Sequence, residues 1–115
     1  MRLFFIMIAS LMASSAMAEW MPVQTQSQFV QLINDKRLKA GLINLRVAPD
    51  GQSAGSAYFR TVSWQWTWQD GYFCRDLFWG QRELGYNCQK VESRDGALRF
   101  TSDRGAGDSA DFQLD

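Results

Sequence analysis

Few residues in this 115-residue chain could carry out chemistry, and their types narrow what that chemistry is. Cys74 and Cys88 are the two cysteines, and the chain contains no histidine. A metal centre normally needs three or four ligands drawn from histidine, cysteine and carboxylates, so two cysteines without histidine make a poor one. No G-x-S-x-G nucleophile elbow occurs. A pair of carboxylates could act on a glycoside, with Asp76, beside Leu77 and Phe78, and Glu83 as the candidates. Asp76 is otherwise one acid among many, and no residue is assigned a catalytic role, a metal or a cofactor. The surroundings of Trp66, Trp79, Arg75, Asp76 and Tyr86 suit ligand contact instead. They offer aromatic faces, one guanidinium and one carboxylate within a short stretch.

These groups must be held by elements, and the first segment is not one of them. Arg2 gives a short positive start, Leu3 to Met12 an apolar run, and Ala16-Met17-Ala18 a small-x-small cleavage site. The run is too short to span a bilayer. Residues 1–18 are therefore expected to be a signal peptide, with no membrane anchor after cleavage. Residues 19–115 form a single domain in the periplasm or outside the cell. In such a compartment one cysteine pair is most simply a disulfide. It closes a loop of about 15 residues, which contributes about 3 kcal/mol by loop entropy. Twelve basic and twelve acidic residues cancel. With no basic stripe, neither nucleic acid nor an anionic membrane is an expected partner.

Thr25-Gln26-Ser27-Gln28 has the pattern of a capping box opening a short helix. Phe29, Leu32 and Ile33 share its apolar face, and Asn34-Asp35 ends it. From Leu38 the pattern becomes that of strands. Ile43, Leu45 and Val47 alternate with polar residues, and Pro49-Asp50-Gly51 turns the chain. Gln52 to Phe59 reads as a strand whose Gly55 and Ala57 leave room for a bulky neighbour. A polar loop is expected from Gly80 to Gly85. Strands follow at Asn87 to Ser93, Ala97 to Ser102 and Ser109 to Leu114. Asp-Gly recurs at Asp50-Gly51, Asp70-Gly71 and Asp95-Gly96, as in successive hairpins. The expected fold is mainly β: a small antiparallel meander or lipocalin-like barrel of seven to eight short strands with one short N-terminal helix.

The central hairpin is the tryptophan-rich stretch Val62 to Trp79. Trp64, Trp66 and Trp68 recur at every second residue, so a strand projects all three to one face. Its register can be set in two ways. A two-residue Asp70-Gly71 turn places Trp66 opposite Arg75, within reach of a cation–π contact, and puts Cys74 on the other face. A three-residue Gln69-Asp70-Gly71 loop places Trp66 opposite Cys74 and packs the disulfide on indole rings. Similarity to Pro49-Asp50-Gly51 favours the three-residue loop. In either register the favoured reading of the tryptophans is core, ahead of an exposed binding platform.

The run W-x-W-x-D-G-Y-F-C-R-D, then G-Y-N-C-Q, then R-F-T-S-D-x-G-x-G-D-S-A-x-F, resembles a group of small exported bacterial proteins of unknown function. The resemblance covers about Val47 to Leu114. Some members of that group carry an automatic dihydrodipicolinate reductase label. Such an enzyme needs a dinucleotide fold with a glycine fingerprint between a strand and a helix. Gly105-Ala106-Gly107-Asp108-Ser109-Ala110 matches G-x-G-x-x-A, yet too little chain follows it for that helix and the next strand. The glycines read as a connection between two strands, and reductase activity is disfavoured. What remains is a non-catalytic, disulfide-stapled β-domain binding an unidentified small molecule or protein. The alternatives are a carbohydrate-binding or weakly carbohydrate-active protein, or an inhibitor of a secreted enzyme that inserts the Gly80–Gly85 loop.

Overall fold

In the computed structural model, residues 18–115 are described, so the expected leader lies outside them up to Met17. Nine strands and one α-helix follow: β1 (Met21–Val23), α1 (Gln26–Ile33), β2 (Leu38–Ala40), β3 (Ile43–Val47), β4 (Gln52–Ala57), β5 (Arg60–Gln69), β6 (Tyr72–Trp79), β7 (Arg82–Arg94), β8 (Ala97–Thr101) and β9 (Ser109–Leu114). From β2 to β9 each strand pairs antiparallel with the next, and β9 returns to β2 to close an eight-stranded ring. An eight-stranded ring leaves an interior that side chains fill or that holds one small ligand. The mainly β, barrel-like expectation is met.

The helix begins where the sequence places it. The Thr25 hydroxyl accepts from the Gln28 amide at 3.2 Å, and the Gln28 side chain accepts in return from the Thr25 amide. Phe29 and Ile33 are buried and Leu32 packs against the core, so this face closes one end of the barrel. Eight residues make too short a helix to persist alone; burial of that face holds it.

β1 is the strand the sequence did not announce. It lies outside the ring, paired with Val91–Ser93 of β7. The cause is length. β7 has thirteen residues and β6 eight, so β7 extends beyond its partner and leaves a free edge. Met21–Val23 covers that edge, with Pro22 on a strand that needs no further donor. Both the Arg94 and Arg99 guanidiniums stack on the Trp20 ring, at 4.4 and 4.2 Å, fastening the segment further.

Three sequence expectations are corrected. The Asp70-Gly71 turn has two residues, not three: Gln69 pairs with Tyr72 and Trp68 with Phe73. Asp70 and Gly71 both have positive φ, 52° and 84°, as a type I′ turn requires. Cys74 therefore faces away from the indole rings. The stretch from Gly80 to Gly85 is not a loop; Gly80-Gln81 is a tight turn and β7 starts at Arg82, with an irregularity in pairing opposite Leu77 and Phe78. An inhibitory loop has no length there to insert. Finally, β4 stops at Ala57, and Tyr58-Phe59 is the next two-residue turn.

Gly55 is a glycine because two backbones meet there. A Cβ at this position would collide with the Asn44 carbonyl and lie 2.8 Å from Leu45 Cα on β3. Those are backbone atoms, which cannot swing aside. Gly55→Ala is expected to destabilise the domain by about 1–3 kcal/mol, read as a lower urea midpoint at unchanged slope.

The meander alternates ends. The turns Ala48–Gly51, Asp70-Gly71 and Asp95-Gly96 lie at the end plugged by α1. Gly41-Leu42, Tyr58-Phe59, Gly80-Gln81 and the β8–β9 connection form the opposite mouth. The glycine run Gly105–Gly107 lies in that last connection, beginning on the last residue of a short 3-10 turn at Asp103–Gly105, and a strand follows it. A dinucleotide fingerprint needs a helix there.

Candidate functional site

The register of β6 decides what faces the interior. Phe73, Leu77 and Trp79 point inward opposite Trp68, Trp64 and Val62, and Arg75 points inward opposite Trp66. Arg75 is the only charged side chain that β6 turns into the barrel. Toward the plugged end the interior is solid. Phe29 is fully buried, with its ring centroid 5.3 Å from Trp66, 5.3 Å from Trp68 and 5.2 Å from Phe73. Beside this cluster, between Phe73 and the β8–β9 connection, the packing opens into a cavity of about 310 Å³.

Its wall is largely apolar. Leu38, Leu45, Val47 and Phe112 contribute from β2, β3 and β9; Trp64, Phe73, Leu77 and Phe100 contribute from β5, β6 and β8. Polar groups are few: Arg75, Gln89, Ser102, Asp108 and Ser109. A mostly apolar wall with a few converging polar groups is the usual make-up of a small-molecule site. The Arg75 Nη1 donates to the Gly85 carbonyl at 2.8 Å, and Gln89 Nε2 donates to the Ser102 hydroxyl at 3.3 Å. Burial holds the Arg75 pKa below its ordinary value, and the neighbouring Asp76 charge pulls it back up. The β8–β9 connection beside the mouth is pinned. Asn87 Nδ2 donates to Asp103 Oδ1 at 2.8 Å, the Asp103 amide donates to Asn87 Oδ1 at 3.0 Å, and the Ser102 amide donates to the Asp108 carbonyl at 2.9 Å.

Of the five residues singled out as ligand contacts, one lines this cavity: Arg75. Trp66 is core at the plugged end, with 4% of its surface exposed and its Nε1 donating to the Ala48 carbonyl at 2.9 Å. No cation–π contact joins it to Arg75 among the described residues. Trp79 is half-buried nearer the mouth, donates to the Ala57 carbonyl at 2.8 Å and carries the Arg60 guanidinium 4.7 Å from its ring. Asp76 and Tyr86 pair with each other across β6 and β7 on the outer wall. The tryptophans are core in the main: Trp64 and Trp66 are buried, and Trp68 is half-buried. Sequence reasoning missed Gln89, Ser102, Phe100 and Phe112. Their alternation within β7, β8 and β9 marked the faces, but nothing local marked which faces meet.

The outer wall holds two further features. Asp76 Oδ1 is buried without a hydrogen-bond partner, in a groove with Gln52, Ser63, Gln65 and Phe78. Beside it Cys74 and Cys88 sit directly opposite each other on β6 and β7 and form the expected disulfide. Since the bridge lies outside the cavity, its loss should cost stability without reshaping the interior. Reduction, or the paired Cys74→Ser and Cys88→Ser variant, is expected to cost about 3 kcal/mol, lowering Tm by about 10 °C or more. Melting with and without reductant measures this, the double variant being insensitive to reductant.

Comparison with family models, with curated proteins and with solved structures returns no match. Among the described residues no cluster of three or more metal-ligating side chains occurs, and no helix is long and apolar enough to cross a membrane.

Proposed function

We propose that this chain is an exported, non-catalytic β-barrel of the periplasm or cell exterior that binds one small, largely apolar ligand in its interior. The observation that carries this reading is the 310 Å³ cavity, walled by apolar side chains from six strands and bordered by the exposed Asp108, Ser109 and Ala110. A small domain gains most by filling its interior, because an unfilled apolar space forfeits packing contacts. Export is supported by the leader-like first residues and by the disulfide, which persists in oxidising compartments.

The test is binding of a small neutral apolar fluorophore, 1-naphthylamine, followed by its emission and by energy transfer from Trp64. One saturable site is expected. Ala110→Trp, which fills the cavity from the exposed start of β9, should abolish the binding while the melting temperature holds. Binding that survives Ala110→Trp would refute the interior site.

One observation favours a second reading. The unpartnered Asp76 Oδ1 faces a polar outer groove whose Gln52, Ser63 and Gln65 could meet hydroxyl groups. A carbohydrate ligand would supply the missing donor. A glycan array on the protein and on Asp76→Asn decides it: no glycan bound by either removes this reading.

A further inference from the structure

We propose that the interior cavity takes a single-chain amphiphile with a monoanionic head, its carboxylate or like anion on the Arg75 guanidinium and its chain among Leu38, Leu45, Val47 and Phe112. This rests on the reading that the cavity is the binding site.

A guanidinium presents five N–H donors in a rigid fork and keeps its charge in proteins. One of those donors is occupied, by the Gly85 carbonyl. The ion pairs among the described residues join Lys39 to Asp115, Lys90 to Glu92 and Arg99 to Asp111; none involves Arg75. Arg75 is thus a half-buried cation on an apolar wall with no carboxylate at ion-pair distance. A charge so placed gains from a counter-ion that brings its own hydrogen-bond acceptors. Asp76 cannot serve, because it is the next residue on the strand and points to the outer wall.

The other charged residue at the cavity is Asp108, on the β8–β9 connection. It is exposed, so water and salt screen it, whereas the Arg75 side is partly desolvated. This arrangement favours one negative charge held inside over two, since a second would approach Asp108. Size sets the other limit. At about 30 Å³ for each water displaced, the cavity has room for roughly ten to a dozen non-hydrogen atoms. Decanoate is of that size; a two-chain lipid is far too large.

The experiment titrates the disulfide-bonded chain with decanoate, 1-decanol and decyltrimethylammonium by calorimetry. Decanoate is expected to bind about tenfold or more tightly than decanol, the cation least of all. Arg75→Met, which keeps an unbranched apolar stem, should remove the advantage of decanoate and leave decanol within about twofold. Arg75→Gln replaces it if the methionine variant does not fold. Equal binding of decanoate and decanol, or a decanoate affinity indifferent to Arg75→Met, overturns the anionic head while leaving the apolar site intact. Preference for decyltrimethylammonium overturns it in favour of Asp108. If none of the three binds, the cavity reading falls as well.

Discussion

Phe29→Ala is expected to cost about 3–5 kcal/mol, enough to lower Tm by 15 °C or more in a domain of this size. No surface of Phe29 reaches solvent, and its ring touches four others: Trp66, Trp68, Phe73 and Phe100. Truncation removes the packing of one large ring and its edge and tilted aromatic contacts, each worth about 0.5–1.5 kcal/mol beyond area. It also removes the main anchor of α1, which is too short to remain helical without tertiary support. Ile33 would remain, but its single side chain cannot close the end of the ring. Two readouts separate plug loss from general loosening. Urea unfolding gives the cost, and acrylamide quenching of tryptophan in the folded variant should rise as the Trp66 and Trp68 rings become wet. Phe29→Leu, which keeps most of the volume, should cost less than half as much. A cost below about 1 kcal/mol for Phe29→Ala would show that α1 is not what seals the barrel.

Much of this could be seen in the chain itself. The capping box at Thr25–Gln28, the alternation of Ile43, Leu45 and Val47, and the Asp-Gly turns all act within a few residues, where local chemistry decides conformation. The cysteine pair was legible for another reason: with no histidine and a leader-like start, few other roles were open to it. The register of the central hairpin was not legible. Asp-Gly suits both the two-residue and the three-residue turn, and each register buries one charged residue of β6, either Arg75 or Asp76. Hydrophobic pattern therefore could not arbitrate. In the structure Phe73, Leu77 and Trp79 share the inner face, at the cost of bringing Arg75 with them. A one-residue slip exchanges those faces completely.

The cavity was illegible for a related reason. Its lining joins β2 and β3 to β9 and β8, and that closure depends on pairing such as Leu38 with Leu114, far apart in sequence. No periodicity within a strand reports on its neighbour across a seam. β1 escaped notice because three residues are too few to show a pattern. The free edge it covers exists only because β7 outreaches β6.

Replacing Tyr58-Phe59 by Asn-Gly is expected to stabilise the protein by about 1–3 kcal/mol, the second large effect and opposite in sign. The two residues are the whole turn between β4 and β5, and both hold positive φ, 50° and 67°. That conformation matches the twist of the flanking strands, but it suits asparagine and glycine, not bulky side chains. Little packing would be lost in exchange, since Tyr58 is 60% exposed and Phe59 is 89% exposed. The Tyr58 amide bond to the Leu42 carbonyl, at 3.2 Å, belongs to the backbone and survives the change. Against the relief of strain stands the extra freedom glycine gives the unfolded chain, about 0.5–1 kcal/mol, which keeps the net gain below the sum of the two strains. Denaturant midpoints of the double variant measure the gain, and a loss of stability would mean the aromatic tip is held by contacts that outweigh its strain. Because neither residue lines the cavity, fluorophore and decanoate affinities should stay within about twofold of the parent. The turn also lies at the mouth, at the opposite end from the Phe29 plug, with no shared partners. Combining the Asn-Gly turn with Phe29→Ala should therefore give the sum of the two effects within about 0.5 kcal/mol. A larger departure would mean that the plug and the mouth are coupled through the cavity between them.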